Sequence, residues 1–425
     1  MFEVLKPIRK YYMLTGSSNM RIAFLIALVI GWMMAPVYAK KMPSFGNEKG
    51  ATASGSSQIS SPKLKQEGAI DLRAVEGSLD VTAMSMAYSP DGNYLAIVDV
   101  VGTFATHITV WNLQNNKLQA HTERLSQDFG VYPYATLSWT PDGKYITFGF
   151  GGNKRPIQFW SAQTGLIATQ APASVTAMSL QFNKQGTKAI ASRGGVGSQK
   201  LRIYDTTSWE FQEFDEGDMY VQQAVWAPND KVLAFGYWKP RNMHPDDAVT
   251  LASNAADGAA QQNDVIARLI DPSGHVADQT KVLIPSEQKY IQGSNRPYRQ
   301  SQMQSPMFVV SSPGGEVVAL GLGYIVDGQT MDIVTYVSQD DINKHNLPNV
   351  LQPRNVAISP DGNYLYLKGE APEESSEAAR NLILDARSGK QLLWFNGGTG
   401  GIAIRPDGKQ LAVGDVHLIK LFHIN

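Results

Sequence analysis

The heptapeptide SPDGNYL occurs at residues 89–95 and again, unchanged, at residues 359–365. Related segments lie between and after these two copies. The full set is AYSPDGNYLAI (87–97), SWTPDGKYITF (138–148), QFNKQGTKAIA (181–191), VWAPNDKVLAF (225–235), VSSPGGEVVAL (310–320), AISPDGNYLYL (357–367) and AIRPDGKQLAV (403–413). Successive segments start about 45 residues apart, with one interval of about twice that length, and this period is typical of propellers built from four-stranded blades.

Each segment has the pattern of two short strands joined by a tight turn. Proline presets its φ angle, aspartate can hydrogen-bond to its own backbone, and glycine accepts a positive φ. A third strand follows in most units, as in HITVWNL (107–113) and LRIYDT (201–206). We therefore interpret the repeated aspartates as turn residues. The alternative, calcium binding, needs several oxygen ligands that converge on one point.

Seven turns predict an all-β fold, a seven-bladed β-propeller that spans residues 68–425. The last unit ends after its third strand, LIKLFHIN (418–425), and lacks a fourth. The segment GAIDLRAVEG (68–77) precedes the first turn, has a strand-like core and belongs to no blade of its own. We expect 68–77 to supply the outer strand of the last blade, which would close the ring and leave no open gap.

These motifs resemble those of the WD-repeat and related periplasmic propeller families over about 68–425. The SPDG turns, the LA-x-G second strands and the VWN, FWS and IYD ends of the third strands carry the resemblance. The units lack a clear Gly-His dipeptide, and Trp111-Asn112 only approximates Trp-Asp, so the family's hydrogen-bonded tetrad is mostly not carried over. Propeller lactonases and the large subunits of quinoprotein amine dehydrogenases are similar in the same way, and the fold does not fix the function.

The N-terminal region has the pattern of an export signal. Basic residues precede the apolar run IAFLIALVIGWMM (22–34), and small residues before Lys40 suit a cleavage site. We predict a signal peptide over 1–39, with an uncleaved signal anchor as the alternative. Residues 40–67 are rich in Gly, Ser and Lys and predict a disordered linker. The expected location is therefore the periplasm or the outside of the cell.

Composition excludes several classes of function. The chain of 425 residues has a formal net charge of −1, which gives no argument for nucleic acid as a partner. It has no cysteine, which excludes disulfides, thiolate metal sites and cysteine nucleophiles. The sequence also lacks a GxSxG elbow, an SxxK motif and a phosphate loop followed by a helix. We expect no cofactor.

Catalytic and metal-binding residues are not evident from the sequence. None of the seven histidines, at 107, 121, 244, 275, 345, 417 and 423, stands in an HExxH arrangement. A site shared by His417 and His423 is possible in principle, but ordinary strand histidines are the favoured interpretation, and we predict no metal site. A lactonase-like site at the mouth of the central channel would need converging loop residues, for which the candidates are Asp99, Arg193, Glu370 and Asp415.

The double-length interval contains two insertions in the fourth repeat. Residues 238–263 interrupt the connection between the second and third strands, and residues 286–305 join the fourth blade to the fifth. Both connections emerge on the same face of a propeller, so we expect the insertions to be neighbours. Trp, Tyr and Arg dominate binding hot spots, and the predicted partner-binding residues are Trp238, Arg241, His244, Tyr290, Arg296, Tyr298 and Arg299.

Two functions fit this pattern. The first is a non-enzymatic, exported scaffold of the cell envelope that binds a protein partner through the face with the insertions. The second is a propeller enzyme or enzyme subunit, lactonase-like or quinoprotein-dehydrogenase-like, with its site at the channel mouth. Long loops on a rigid scaffold are where binding usually occurs, and for this reason we favour the scaffold. Contact with a membrane is expected only through an uncleaved N-terminal segment.

Overall fold

The structure is a computed structural model, and the description below covers only part of the chain. The described residues are 59–102, 105–122, 137–148, 157–170, 179–192, 201–214, 219–238, 265–273, 277–284, 309–321, 323–337, 356–369, 379–398 and 400–425. The predicted signal segment and most of the predicted linker lie outside these ranges. Within the described residues, no helix has the length and apolar character needed to cross a membrane.

The described chain forms seven antiparallel sheets of four strands each. A first strand and a helical turn precede the blades, and they are β1 (Leu64–Asp71) and α1 (Arg73–Glu76). Blades one to three are formed by β2 (Val81–Tyr88), β3 (Tyr94–Val101), β4 (Ala105–Asn112), β5 (Lys117–His121), β6 (Leu137–Trp139), β7 (Tyr145–Phe148), β8 (Gln158–Ser161), β9 (Ile167–Gln170), β10 (Ser179–Phe182), β11 (Lys188–Ser192), β12 (Leu201–Asp205) and β13 (Phe211–Phe214).

Blades four to seven continue the same order along the chain. Their strands are β14 (Met219–Trp226), β15 (Val232–Trp238), β16 (Val265–Ile270), β17 (Ala277–Ile284), β18 (Val309–Ser311), β19 (Val317–Leu320), β20 (Tyr324–Asp327), β21 (Ile333–Tyr336), β22 (Val356–Ile358), β23 (Tyr364–Leu367), β24 (Ala379–Asp385), β25 (Gln391–Gly397), β26 (Ile402–Ile404), β27 (Gln410–Asp415) and β28 (Leu418–Ile424). A short 3₁₀ turn at Pro228–Asp230 joins β14 to β15. The predicted seven-bladed β-propeller is confirmed.

The repeated heptapeptide is the hairpin turn between the first two strands of a blade, as the sequence predicts. In the first copy, the Ser89 hydroxyl donates to Asp91 Oδ1 at 2.5 Å and accepts from the Tyr94 amide at 2.9 Å. Gly92 has a φ of 72°, a conformation that glycine adopts without a steric penalty. The second copy repeats these contacts through Ser359. Each turn is therefore held by its own side chains.

The N-terminal strand closes the ring, but its boundaries differ from the prediction. β1 pairs antiparallel with β28 and is the outer strand of the last blade, in the order β1-β28-β27-β26. The strand covers Leu64–Asp71 rather than 68–77, so the predicted linker of 40–67 ends too late. Leu64–Gln66 pair with β28 because its edge offers backbone hydrogen bonds to another backbone whatever the side chains are, and Glu67 lies at a register shift. The strand ends at Asp71 because its carboxylate accepts the Arg73 amide at 3.0 Å, and Gly77 then ends the helical turn with a φ of 64°.

The core lies between neighbouring blades. At the ring closure, Leu95 and Ile97 of blade one belong to the same buried cluster as Ile419 and Leu421 of blade seven. The first strands of the blades stand next to each other around the centre, and β2 also contacts β26, which completes the circle. Each blade thus buries one apolar face against each neighbour, which fixes the positions of the loops at both ends of the ring.

Candidate functional site

A polar cluster lies on blade one at the ring closure. The strand register of this blade places four of its members on one face. Asp99 of β3 is directly opposite His107 of β4, and Thr109 of β4 is directly opposite His121 of β5. Paired residues share a face, and residues two apart in a strand also share a face. This is the face of Leu95 and Ile97, which packs toward blade seven.

A register shift between β4 and β5 determines where His121 points. Asn112 pairs with Lys117 and Trp111 with Leu118, but Val110 pairs with Ala120. Without this one-residue shift His121 would lie opposite Ile108, which packs toward blade two. A shift of one residue moves a side chain to the other face of a sheet. The irregularity therefore brings His121 to the side of His107.

The fifth member of the cluster comes from α1. Glu76 ends this helical turn, and its side chain is only 3% exposed. Glu76 Oε2 lies 3.2 Å from His107 Nδ1, and Glu76 Oε1 lies 3.5 Å from His121 Nδ1. His107 Nδ1 and His121 Nε2 are 3.0 Å apart. One ligand atom from each of these three residues lies within 4.8 Å of the other two.

A hydrogen-bonded chain fixes the His121 ring. The Thr109 hydroxyl donates to Asp99 Oδ2 at 3.0 Å, and Thr109 Oγ1 is also 3.0 Å from His121 Nδ1. Because the hydroxyl proton points to Asp99, its oxygen is left to accept a proton from His121 Nδ1. In this arrangement Nδ1 carries the proton, and the lone pair is on Nε2, the nitrogen 3.0 Å from His107 Nδ1. The chain Asp99–Thr109–His121 therefore selects one tautomer of the imidazole.

Two carboxylate oxygens in the cluster are buried without a hydrogen-bond partner in the described part of the chain. They are Glu76 Oε1 and Asp99 Oδ1. Asp99 is completely buried. Burial raises the pKa of Asp99 well above its usual range, and the negative charge of Glu76 and a side-chain hydrogen bond with Glu76 raise it further. Burying a carboxylate without a compensating charge is costly, and a cation bound at Glu76 would offset this cost.

The sequence did not predict this cluster, although it named three of its members. Asp99 is one of the predicted channel-mouth candidates, and the sequence shows His107 and His121 only as histidines outside an HExxH arrangement. Glu76 falls in the segment that the sequence assigned to a strand. The sequence alone shows only that His107 and Thr109, two residues apart in one strand, share a face. The helical turn and the register shift depend on the folded structure.

Of the other channel-mouth candidates, one forms an ion pair with a neighbouring strand residue and two lie outside the described residues. Asp415 forms an ion pair with Lys420 at 2.7 Å. Arg193 and Glu370 lie outside the described residues. His423 lies 3.1 Å from Glu67, and His417 lies between β27 and β28, so an unbroken strand does not connect the two histidines. The described residues do not bring these groups into one site.

The predicted partner-binding residues fall mostly outside the described ranges. Trp238 is the last residue of β15. The remaining six, Arg241, His244, Tyr290, Arg296, Tyr298 and Arg299, are not among the described residues. The attachment points of both insertions are described. Val265 pairs with Tyr237 on one side and with Ile284 on the other, so the chain leaves and re-enters blade four from adjacent strand ends.

We call the end of the ring that carries these attachment points the insert-bearing face. It is the face of the connections between blades and of the loops between second and third strands. The connection through α1 joins β1 of blade seven to β2 of blade one, so it belongs to the same face. The polar cluster and the attachment points of the insertions are therefore at the same end of the ring.

The opposite end of the ring carries the PDG turns and has a shallow depression between blades two and three. Its cavity volume is about 340 Å³, and aromatic side chains line much of it. Phe159 meets Trp209 edge-to-face with ring centroids 5.6 Å apart, and Tyr145 meets Phe159 at 6.4 Å. Trp209 has a φ of 58°, in the left-handed region. The rings hold one another in place at this edge.

Comparison with known proteins supports the fold. No protein-family model and no curated protein sequence matches this chain. The β-propeller domain of Myceliophthora thermophila Cps50 (Swd1) is similar, with a TM-score of 0.51, 13% identity, and coverage of 81% of this chain and 97% of that one. Kuenenia stuttgartiensis hydrazine synthase is also similar, with a TM-score of 0.52, 14% identity, and coverage of 81% and 97%.

A chain in a crystal structure of the mitotic checkpoint complex is similar over 92% of this chain and 98% of its own length, at 11% identity and a TM-score of 0.49. At identities this low, structural similarity supports the fold alone and says nothing about activity. The chain is a seven-bladed β-propeller with a WD-repeat-like fold.

Proposed function

We propose that this chain is an exported, non-enzymatic scaffold of the cell envelope that binds a protein partner through its insert-bearing face. The observation that carries the proposal is the pairing of Val265 with both Tyr237 and Ile284. It puts the bases of the two longest interruptions of the repeat pattern side by side. Residues of both insertions can then contribute to one contact surface.

The composition of the insertions suits a protein partner. The seven candidates comprise three aromatic residues, three arginines and one histidine. Aromatic and arginine side chains carry most of the binding free energy in protein interfaces. Net charge does not favour nucleic acid, since the whole chain has a formal charge of −1.

The ring supplies a rigid base for such a surface. Indole nitrogens connect neighbouring blades: Trp139 donates to the Ala87 carbonyl at 2.9 Å, and Trp226 donates to the Gln181 carbonyl at 3.0 Å. Lys281 of blade four and Asp332 of blade five form an ion pair across another boundary. A preorganised scaffold loses less entropy on binding than a flexible one, so the attached loops can bind without rearrangement of the blades.

Export is proposed from the N-terminal sequence. The basic flank, the apolar run at 22–34 and the small residues before Lys40 have the order of a secretory signal. Fusion of residues 1–45 to a reporter that is active only after export tests this part separately. We expect reporter activity, and Leu25→Asp together with Leu28→Asn, which break the apolar run, should abolish it.

Cross-linking with mass spectrometry on the native cell envelope tests the binding proposal. The test variant is R296A/Y298A/R299A in the second insertion. The control variant, K144A/Y336A/R387A, removes two basic residues and one tyrosine at described, exposed positions outside the insertions. We expect partner cross-links to the insertions in the wild type and the control, and their loss in the test variant.

A second variant replaces 240–261 and 288–301 by short Gly-Ser loops. It should retain the circular dichroism spectrum and unfolding temperature of the wild type while losing the same cross-links. An unchanged set of partners in both variants would overturn the role of the insertions.

A further inference from the structure

We propose that Glu76, His107 and His121 bind one divalent metal ion of the zinc class, and that this ion fastens the ring-closing connection to blade one. The inference does not depend on the scaffold function. It concerns a site that holds the ring together, and it stands on the geometry of the polar cluster and on its two unpartnered carboxylate oxygens.

The distances suit a tetrahedral ion. Zinc binds imidazole nitrogen and carboxylate oxygen at about 2.0–2.1 Å, which places neighbouring tetrahedral ligands about 3.3 Å apart. Glu76 Oε2 is 3.2 Å from His107 Nδ1, and His107 Nδ1 is 3.0 Å from His121 Nε2. Two of the three ligand pairs thus already have nearly the required separation, and one ligand atom from each of α1, β4 and β5 lies within 4.8 Å of the other two.

The surroundings of His121 match those of a metal-binding histidine. The ring nitrogen of such a histidine that does not bind the metal usually donates its N–H to a carboxylate or another acceptor, and this hydrogen bond fixes the ring. Here His121 Nδ1 lies 3.0 Å from Thr109 Oγ1, whose hydroxyl donates to the buried Asp99. These hydrogen bonds leave the lone pair on Nε2, which lies 3.0 Å from His107 Nδ1. This is an observation independent of the three ligands themselves.

A bound cation would offset the cost of burying the Glu76 carboxylate. Two buried carboxylate oxygens, Glu76 Oε1 and Asp99 Oδ1, lack a hydrogen-bond partner among the described residues. The ion pairs of Glu76 within those residues are with the two histidines. A divalent ion would give the buried Glu76 carboxylate a compensating charge.

The ligand types select the metal class. Two imidazoles and one carboxylate suit zinc and its first-row neighbours, whereas magnesium and calcium prefer oxygen ligands. Three protein ligands leave a fourth position for water or another oxygen. The ligand side chains are partly shielded from water, with exposures of 3% for Glu76, 16% for His107 and 27% for His121.

The position of the ion explains what it would do. Glu76 lies in the connection that leads from the closing strand β1, in blade seven, to β2 in blade one. The two histidines belong to β4 and β5 of blade one. An ion that binds all three residues would join the connection to the middle and outer strands of blade one, next to the seam where the chain closes on itself.

The test uses the full chain without a histidine tag. After dialysis against a chelator, Zn²⁺ and Co²⁺ are titrated separately, and bound metal is counted by elemental analysis. We expect one ion per chain, a tetrahedral Co²⁺ absorption spectrum that Zn²⁺ abolishes, and a higher unfolding temperature with Zn²⁺. His107→Gln, His121→Gln and Glu76→Gln should each remove the stoichiometric binding.

The chain offers a matched control in His423, which lies 3.1 Å from Glu67 at the same ring closure but outside the cluster. His423→Gln should bind metal as the wild type does. Thr109→Val keeps the shape of the side chain but breaks the link to Asp99, and it should weaken binding about 10–100-fold. That effect on affinity, without loss of the Co²⁺ spectrum at saturation, identifies Thr109 as a positioning residue.

Two results would overturn the proposal. One is a wild-type chain that binds no Zn²⁺ at micromolar concentration. The other is binding that survives the His107 and His121 substitutions or is lost with His423→Gln. If the ligand variants do not fold, X-ray absorption of the wild-type zinc complex decides, since the proposal requires two imidazole nitrogens and carboxylate oxygen in the first shell.

Discussion

Leu64 and Ile424 lie opposite each other in adjacent antiparallel strands, so the first described strand of the chain is paired with the last. The pairing continues to Asp71 opposite Leu418, with one irregularity between Gln66 and Gly68. Blade seven is therefore assembled from both ends of the propeller sequence. The seam of the ring depends on contacts between residues that are far apart in the chain.

Ile70→Ala tests how much this seam contributes to stability. Ile70 is 1% exposed and belongs to the cluster that contains Ile419 and Leu421. Removing a buried isoleucine side chain leaves a cavity, and we expect the free energy of unfolding to fall by about 2–5 kcal/mol. Chemical unfolding followed by tryptophan fluorescence measures the change.

Leu79→Ala is the control, because Leu79 is an aliphatic residue of the same region that is 83% exposed. It should change stability by less than about 0.5 kcal/mol. Equal effects of the two substitutions would show that the closing strand is not part of the cooperative core.

The bonds between blades give a second prediction. Trp139→Phe removes the indole donor that reaches the Ala87 carbonyl at 2.9 Å, and Trp226→Phe removes the one that reaches Gln181 at 3.0 Å. Each should cost about 0.5–1.5 kcal/mol, measured by chemical unfolding. The double variant should show the sum, because the two bonds lie at different blade boundaries. A double variant much less stable than this sum would mean that the boundaries are coupled around the ring.

The sequence predicted the repeat architecture well because the PDG turns are local structures. Ser89, Asp91 and Tyr94 lie within six consecutive positions and satisfy one another, so the chain itself shows the hairpin. The closing strand is a different case. Its pairing with β28 comes from backbone groups, and the lysine and glutamine at positions 65 and 66 gave no sign that the strand begins at Leu64.

The polar cluster could not be predicted for a related reason. His107 and His121 lie on one face only because of the shift between Val110 and Trp111, and periodicity in the sequence cannot reveal such a shift. Glu76 reaches them only because the chain turns into a helix after Asp71. The insertion residues were recognised from length and composition, and their predicted role in partner binding stays a prediction.

Ser89→Ala gives a third prediction, for the turn. Ser89 is 1% exposed, and its hydroxyl both donates to Asp91 and accepts from the Tyr94 amide. Alanine leaves the buried amide of Tyr94 without this acceptor, and we expect a loss of about 1–3 kcal/mol in the free energy of unfolding. Ser388→Ala, at an exposed turn where the hydroxyl accepts the Lys390 amide at 3.3 Å, is the control and should be nearly neutral. If both variants unfold at the wild-type denaturant concentration, the turn hydroxyls do not stabilise the blades.

Acid sensitivity is the fourth prediction. Hydrogen bonds from Arg73 lower the pKa of Asp71. Burial raises the pKa of Asp91, but hydrogen bonds from Ser89 and Asn93 outweigh it and hold this pKa below its usual value. Asp407 has a lowered pKa because its carboxylate accepts hydrogen bonds from Arg405.

A carboxylate with a lower pKa in the folded state than in the unfolded state contributes stability above the unfolded pKa, near 3.8. It loses this contribution as the pH falls through the folded pKa. The unfolded chain binds these protons first, so the folded chain should become less stable as the pH drops below about 5.

Urea midpoints between pH 7 and pH 2.5 measure this dependence. Asp91→Asn and Asp407→Asn each remove one titrating group, so the curves of these variants should fall less steeply with acid than that of the wild type. Asp80→Asn removes an exposed carboxylate and serves as the reference substitution. The urea midpoints of the wild type, Asp91→Asn and Asp407→Asn could also fall in parallel with decreasing pH. That result would mean that the turn carboxylates have the same proton affinity in the folded and unfolded states. The hydrogen bonds of the PDG turns would then shape the hairpins without making the ring acid-sensitive.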